Sequence, residues 1–223
     1  MQGKQIWGME YRDVSLKDAL ARADTFLETA SMNTILYLTA SSRAGIRDGG
    51  EVKRQTEAMD LLLFGDLNAM WAAGMQALNR LYEVEHMVFL QEFLRRLAHG
   101  KRRVFLLADT AEAVEQLREG LEKFGQQLDV AGTGVVEPEI PGYEYLLNQI
   151  NETAPAVVIS RLSPEVQVRM MAEAKIMANA SVWLGLTSDM LDAGMVAGMR
   201  KRIVNFVRKS WFGLLFCKKK DRI

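Results

Sequence analysis

The sequence predicts an α/β fold, a mostly parallel sheet with helices on both faces and an amphipathic helical appendage at the C-terminus. Three observations predict it. Short apolar runs rich in β-formers recur along the first 198 residues. Helical stripes with recognisable starts lie between them. The final segment, 199–223, differs sharply in charge from everything before it.

Taken in chain order, Ser15–Thr29 opens the alternation, with Leu16, Ala19, Leu20, Ala23, Phe26 and Leu27 on one helical stripe. Thr34–Ala40 and Leu61–Phe64 are apolar runs bounded by polar or glycine residues, as strands buried on both faces require. Leu67, Met70, Trp71 and Gly74 then suggest a helix start. Arg103–Leu107 is the next strand. It leads into the Asp109–Phe124 helix, whose stripe holds Ala113, Val114, Leu117, Leu121 and Phe124 behind the cap-like pair Asp109-Thr110. Leu128–Gly132 reads as a strand ending where an irregular stretch begins; Gly132 to Gly142 holds three glycines and two of the four prolines. Ala156–Ser160 and Ala180–Gly185 complete the strands. Between them Ser163–Ala178 starts with Ser-Pro at N-cap and N1, and Glu165 falls in its first turn. This β–α alternation describes a Rossmann-like sheet. In such sheets ligands sit at the carboxyl ends of the strands. Four loops lie there: Thr39–Arg47, Gly65–Asn68, Ala108–Thr110 and Ser160–Gln167.

Composition narrows the classes. The chain has 223 residues, 49% of them hydrophobic, which excludes intrinsic disorder. Cys217 is the single cysteine, so no intramolecular disulfide forms. No run approaches the roughly 18 apolar residues of a membrane-spanning helix, and the N-terminus lacks the pattern of a signal peptide; the expected location is cytoplasmic. Net charge is zero, yet Arg200–Ile223 carries nine basic residues and one acid, a segment at +8. The preceding 199 residues hold 19 basic and 27 acidic side chains and stand at −8. A basic tail on an acidic body suggests an anionic partner.

Chemistry is sparse. His86 and His99 lie far apart, with no metal-binding spacing, so neither a metal nor a cofactor is expected; helix-end or surface positions account for them. Gly132-Thr133-Gly134 offers backbone N–H groups to a phosphate, although a turn explains two glycines as well. Asp66 follows an apolar strand directly, in LLLFGDL. There its carboxylate either caps the next helix, the more economical reading, or takes a proton from an acceptor hydroxyl.

The order of the segments carries more information than any one of them. IWGMEYRDVSLKDALARADTFL, TILYLTASS, DLLLFGDLNAMWAAG, GKRRVFLLADTAEAVEQL, LDVAGTG with YEYLLNQINETAPAVVISRLSPEVQ, and ASVWLGLTSDMLDAG follow one another. Together they resemble the WecG/TagA/CpsF family of bacterial glycosyltransferases over nearly the whole chain. The strand TILYLTASS is similar to the family's "tlNp" segment, DLLLFGDLNAMWAAG to "adlvlpDGigvvwa", and GKRRVFLLADTAEAVEQL to "g.rvfllGg". The resemblance implies inverting, metal-independent transfer of an N-acetylhexosamine-type sugar from a UDP-sugar. The acceptor would be an undecaprenyl-diphosphate-linked sugar, in teichoic acid, common antigen or capsule synthesis. It places substrate contacts at Thr39, Ser41 and Gln167. Without a gap, the family's "pDG" aspartate falls on Gly65 and its glycine on Asp66, while "PkQE" becomes Pro164-Glu165-Val166-Gln167. A scaffold subunit of a polysaccharide-synthesis complex that has lost catalysis stands as the alternative.

On a helix of about 100° per residue, Ile203, Val204, Phe206, Val207, Trp211, Leu214 and Leu215 fall on one face of the tail. Lys201, Arg202, Arg208 and Lys209 fall opposite. Such a segment, trailed by Lys218, Lys219 and Lys220, fits an anionic membrane surface, with Trp211 and Phe212 entering the interface. Arg200, Arg202 and Arg208 also suit a diphosphate. The competing reading is a terminal helix packed on the acidic body. Nucleic acid is not expected, because the rest of the chain is acidic and carries no known module; a homo-oligomer stays open.

Overall fold

The computed structural model describes residues 4–47, 50–136, 143–187 and 190–191. The chain opens with a hairpin, β1 (Lys4–Ile6) and β2 (Met9–Tyr11), paired antiparallel. Its two turn residues, Trp7 and Gly8, both take positive φ, 52° and 78°, which gives the turn the twist of its strands. Then follow α1 (Leu16–Leu27), β3 (Asn33–Leu38), a 3-10 turn (Ala40–Ser42), α2 (Arg43–Arg47), α3 (Gly50–Glu57) and β4 (Leu61–Phe64). After these come α4 (Leu67–Ala72), α5 (Leu78–Glu85), α6 (Val88–His99), β5 (Arg103–Ala108), α7 (Ala111–Glu122), β6 (Asp129–Val135), α8 (Glu144–Thr153), β7 (Val157–Leu162), α9 (Pro164–Met177) and β8 (Val182–Thr187).

β3 to β8 form one sheet in the order β4-β3-β8-β7-β5-β6, and every neighbouring pair is parallel. Of the four inner strands, β7 and β8 are buried at every residue, the condition that makes a strand read as a continuous apolar run. Helices α1, α6 and α7 cover one face through Leu20, Phe93, Leu97, Leu117 and Leu121. On the other face lie α4, α8, α9 and the hairpin, through Met70, Ile150, Met171 and Tyr11.

All six runs read as strands are strands, and the body has the parallel α/β fold expected. The starts also hold: Ser15 caps α1 by accepting the Asp18 N–H at 3.1 Å, Thr110 caps α7 by accepting that of Ala113 at 3.1 Å, and Pro164 begins α9 behind Ser163. One boundary moves. β6 does not stop at Gly132 but continues to Val135, with an irregularity opposite Val104 and Phe105. Gly132-Thr133-Gly134 is therefore strand, not a loop after it. A Cβ on Gly132 would come within 2.9 Å of the Phe105 ring, and one on Gly134 within 2.9 Å of Leu146, so close packing accounts for both glycines. The whole appendage (199–223), with Arg200, Arg202, Arg208, Trp211, Phe212, Lys218, Lys219 and Lys220, lies outside the described residues.

Candidate active site

The carboxyl ends of the parallel strands form a rim with two clusters. The first joins β3, β4 and β8. Thr39, fully buried, follows β3 and heads the 3-10 turn. Its hydroxyl donates to Thr187 Oγ1 at 3.1 Å at the end of β8 and lies 2.7 Å from Ser41 Oγ. Asp66 stands just past β4 and caps α4. Its Oδ1 accepts the Ala69 N–H and its Oδ2 the Ala40 N–H, both at 2.7 Å. One carboxylate thus fastens the β4–α4 turn to the β3 turn. Gly65 makes the approach possible: its N–H donates to Leu38 O at 2.7 Å, and a Cβ there would stand 2.6 Å from Thr39 Cγ2 and 2.9 Å from Met190 Sδ.

The second cluster joins β5 and β7. These neighbours send their chains in opposite directions: β5 leads through α7 to β6 at the edge, and β7 leads through α9 to β8 toward the other side. Such a reversal opens a crevice at the carboxyl end of an open sheet. Asp109 sits there, half-buried, and its Oδ2 accepts the Ser163 N–H at 3.1 Å. Arg161, on the last turn of β7, is buried and donates through Nη1 to Gln116 Oε1 of α7 at 3.1 Å. Burial pushes the Asp109 carboxyl above the usual carboxylate range, against the opposing pull of the Ser163 N–H and the Arg161 guanidinium.

Of the residues singled out in the sequence, Thr39, Ser41 and Asp66 are brought together. Gln167 is not with them. Its side chain is wholly buried on the α9 face, where the Ser160 hydroxyl donates to Gln167 Oε1 at 3.0 Å and accepts the Trp183 indole N–H at 2.7 Å. Gly185 lies over this group; a Cβ there would meet Gln167 Nε2 at 2.9 Å. The two histidines are at helix ends: His86 caps α5, stacked on Tyr82 at 4.2 Å, and His99 closes α6. Asp109 and Arg161 were missed among the site residues. The signal for Asp109 was present, since it follows a buried strand as directly as Asp66 does.

The chain matches the model of the glycosyl transferase WecG/TagA/CpsF family over residues 4–216. It belongs to that family. No curated protein matches it. On the resemblance drawn from the sequence, Thr39 falls at the family's threonine and Ser41 at its asparagine, and the segment similar to the "pDG" step reads Phe64-Gly65-Asp66. The geometry gives the inverted order a reason: a side chain at 65 collides with Thr39, and a carboxylate at 66 reaches both backbone N–H groups. Ala108-Asp109 ends the segment that resembles "fllGg", and Asp109 gives the second cluster its carboxylate. Among the described residues no helix is long and apolar enough to cross a membrane.

Proposed function

We propose that the chain transfers an N-acetylhexosamine-type sugar from a UDP-sugar to an undecaprenyl-diphosphate-linked acceptor in cell-envelope polysaccharide synthesis. Family membership over residues 4–216 carries the reading. The polar rim supports it, since an open parallel sheet receives its ligand at that end. In this reading the strand-end loops hold the donor. The basic tail supplies Arg200, Arg202 and Arg208 to a diphosphate, and Trp211, Phe212 and Lys218 to Lys220 to an anionic membrane surface, which places the protein at the inner face of the cell membrane.

The test is transfer by the full-length protein from UDP-linked N-acetylhexosamines to a prenyl-diphosphate-linked sugar. Label should appear in the lipid product with at least one donor epimer. Gly65 favours a second reading, a family member that binds without turning over, because the family's aspartate is replaced where no side chain fits. Saturable UDP-sugar binding with no transfer to any acceptor would decide for it.

A further inference from the structure

The two clusters cannot serve one reacting bond together. Asp66 lies just past the edge strand β4 and Asp109 just past β5, four strand positions away in the sheet. At about 4.8 Å per strand the separation is roughly 19 Å. Asp66 has each carboxylate oxygen engaged by a backbone N–H, and loss of either bond would release a turn. Asp109 has only Oδ2 engaged, by Ser163; among the described residues Oδ1 accepts no hydrogen bond. It also stands at the β5–β7 reversal, the position at which open parallel sheets take their ligands, beside the buried Arg161.

We propose, on the glycosyl-transfer reading above, that Asp109 is the general base of this chain. Its carboxylate takes the proton of the acceptor hydroxyl as that oxygen bonds to the anomeric carbon. The bond from that carbon to the donor diphosphate breaks, and its electron pair leaves on the diphosphate oxygen. The lost "pDG" aspartate is then replaced from another strand end. Burial supports the assignment, since it brings the carboxyl toward the working pH, where a base is most effective. Among the described residues Arg161 of β7 is the charged side chain that acts on it.

The experiment compares wild type, Asp109→Asn and Asp66→Asn as full-length proteins. The probes are UDP-N-acetylglucosamine, its galacto and manno epimers, and a short prenyl-diphosphate-linked N-acetylhexosamine. Asn at 109 still accepts the Ser163 N–H through its amide oxygen, so a mere clamp would survive the change. A base would not, and transfer kcat should fall about 10²–10⁴-fold while UDP affinity stays at the wild-type value and Tm does not fall. Wild-type kcat/KM should rise with pH through an ionisation above the ordinary Asp range, and that limb should vanish in Asp109→Asn. Wild-type kcat in Asp109→Asn, or a greater loss in Asp66→Asn than in Asp109→Asn, overturns the assignment and leaves glycosyl transfer standing. No transfer by wild type from any of the three donors overturns both.

Discussion

Gly65 and Asp66 form a pair in which each residue explains the other. The glycine lets the end of β4 lie against Thr39, and the aspartate ties the two turns. Gly65→Ala should therefore destabilise by about 1–3 kcal/mol, because overpacking a buried site forces its neighbours to move. Thr39→Ser removes the colliding Cγ2 and keeps the hydroxyl. A urea double-mutant cycle should show the Gly65→Ala cost relieved in the Thr39→Ser background, with a coupling on the order of 1 kcal/mol; strict additivity would contradict the contact. Asp66→Ala removes a helix cap, worth about 1–2 kcal/mol, and also the tie to Ala40, so its loss in the same titration should reach or pass that range. Legibility at this scale follows sequence distance. Asp66 as a cap depends on the residues immediately after it and could be read. The site of Gln167 depends on Ser160, Trp183 and the absent Cβ of Gly185, which only the packed sheet brings together. Ser160→Ala should strand the Trp183 N–H in the core and cost about 1–3 kcal/mol in Tm-derived stability, with UDP-sugar KM unmoved, because this network is wholly buried.

At the scale of elements, the strands were legible because burial on both faces leaves apolar runs with no polar alternation, as in β7 and β8. α6 carries an equally plain stripe, Phe89, Leu90, Phe93, Leu94 and Leu97, but no cap marks its start: Met87 enters it with a φ of 47°. The amino ends of the strands are fastened by a different carboxylate. Asp60, just before β4, accepts the Thr34 N–H and hydroxyl of β3 at 2.8 Å each and Lys175 Nζ of α9 at 2.9 Å. Burial alone would raise its pKa, but the bonds from Lys175 and Thr34 outweigh burial and hold it below the usual carboxylate range. A depressed folded-state pKa means that the unfolded chain takes up the proton first. The contribution is complete above the unfolded pKa, near 4, and is lost as pH falls through the folded value. Asp60→Asn should thus be less stable than wild type at pH 7, and the gap measured by denaturant titration should narrow steadily on acidification below about pH 4. A gap independent of pH would assign the staple to hydrogen bonding without charge. Asp109 has the opposite sign. Its raised carboxyl favours the folded state at low pH and loses that share as pH rises through its folded value, so Asp109→Asn should gain relative to wild type toward neutral pH.

For the whole molecule, the sheet order β4-β3-β8-β7-β5-β6 was beyond the sequence reading, since alternation fixes the elements and not their neighbours. The reversal between β5 and β7, and with it the second rim cluster, comes into view only with that order. Charge distribution is a whole-chain property that needs no structure: 199 residues at −8 precede a segment at +8. Two outcomes compete for that segment, an anionic lipid surface and the protein's own acidic body. They respond differently to lipid composition and to substitution. If lipid is the partner, the full-length protein should sediment with vesicles rich in anionic lipid and much less with neutral ones. Binding should weaken as salt rises, because charges are screened beyond a Debye length of roughly 8 Å at physiological ionic strength. Each basic residue near the surface contributes up to about 1 kcal/mol, so replacing Lys218, Lys219 and Lys220 by glutamine should cost roughly 3 kcal/mol of partitioning. Trp211→Glu tests the apolar face. It should impair binding about as severely, since a charge placed among Ile203, Val207 and Leu214 removes the insertion that attraction alone does not supply. If the tail packs on the body, the same Trp211→Glu change lowers Tm and promotes aggregation, while the wild-type chain ignores vesicles of either kind.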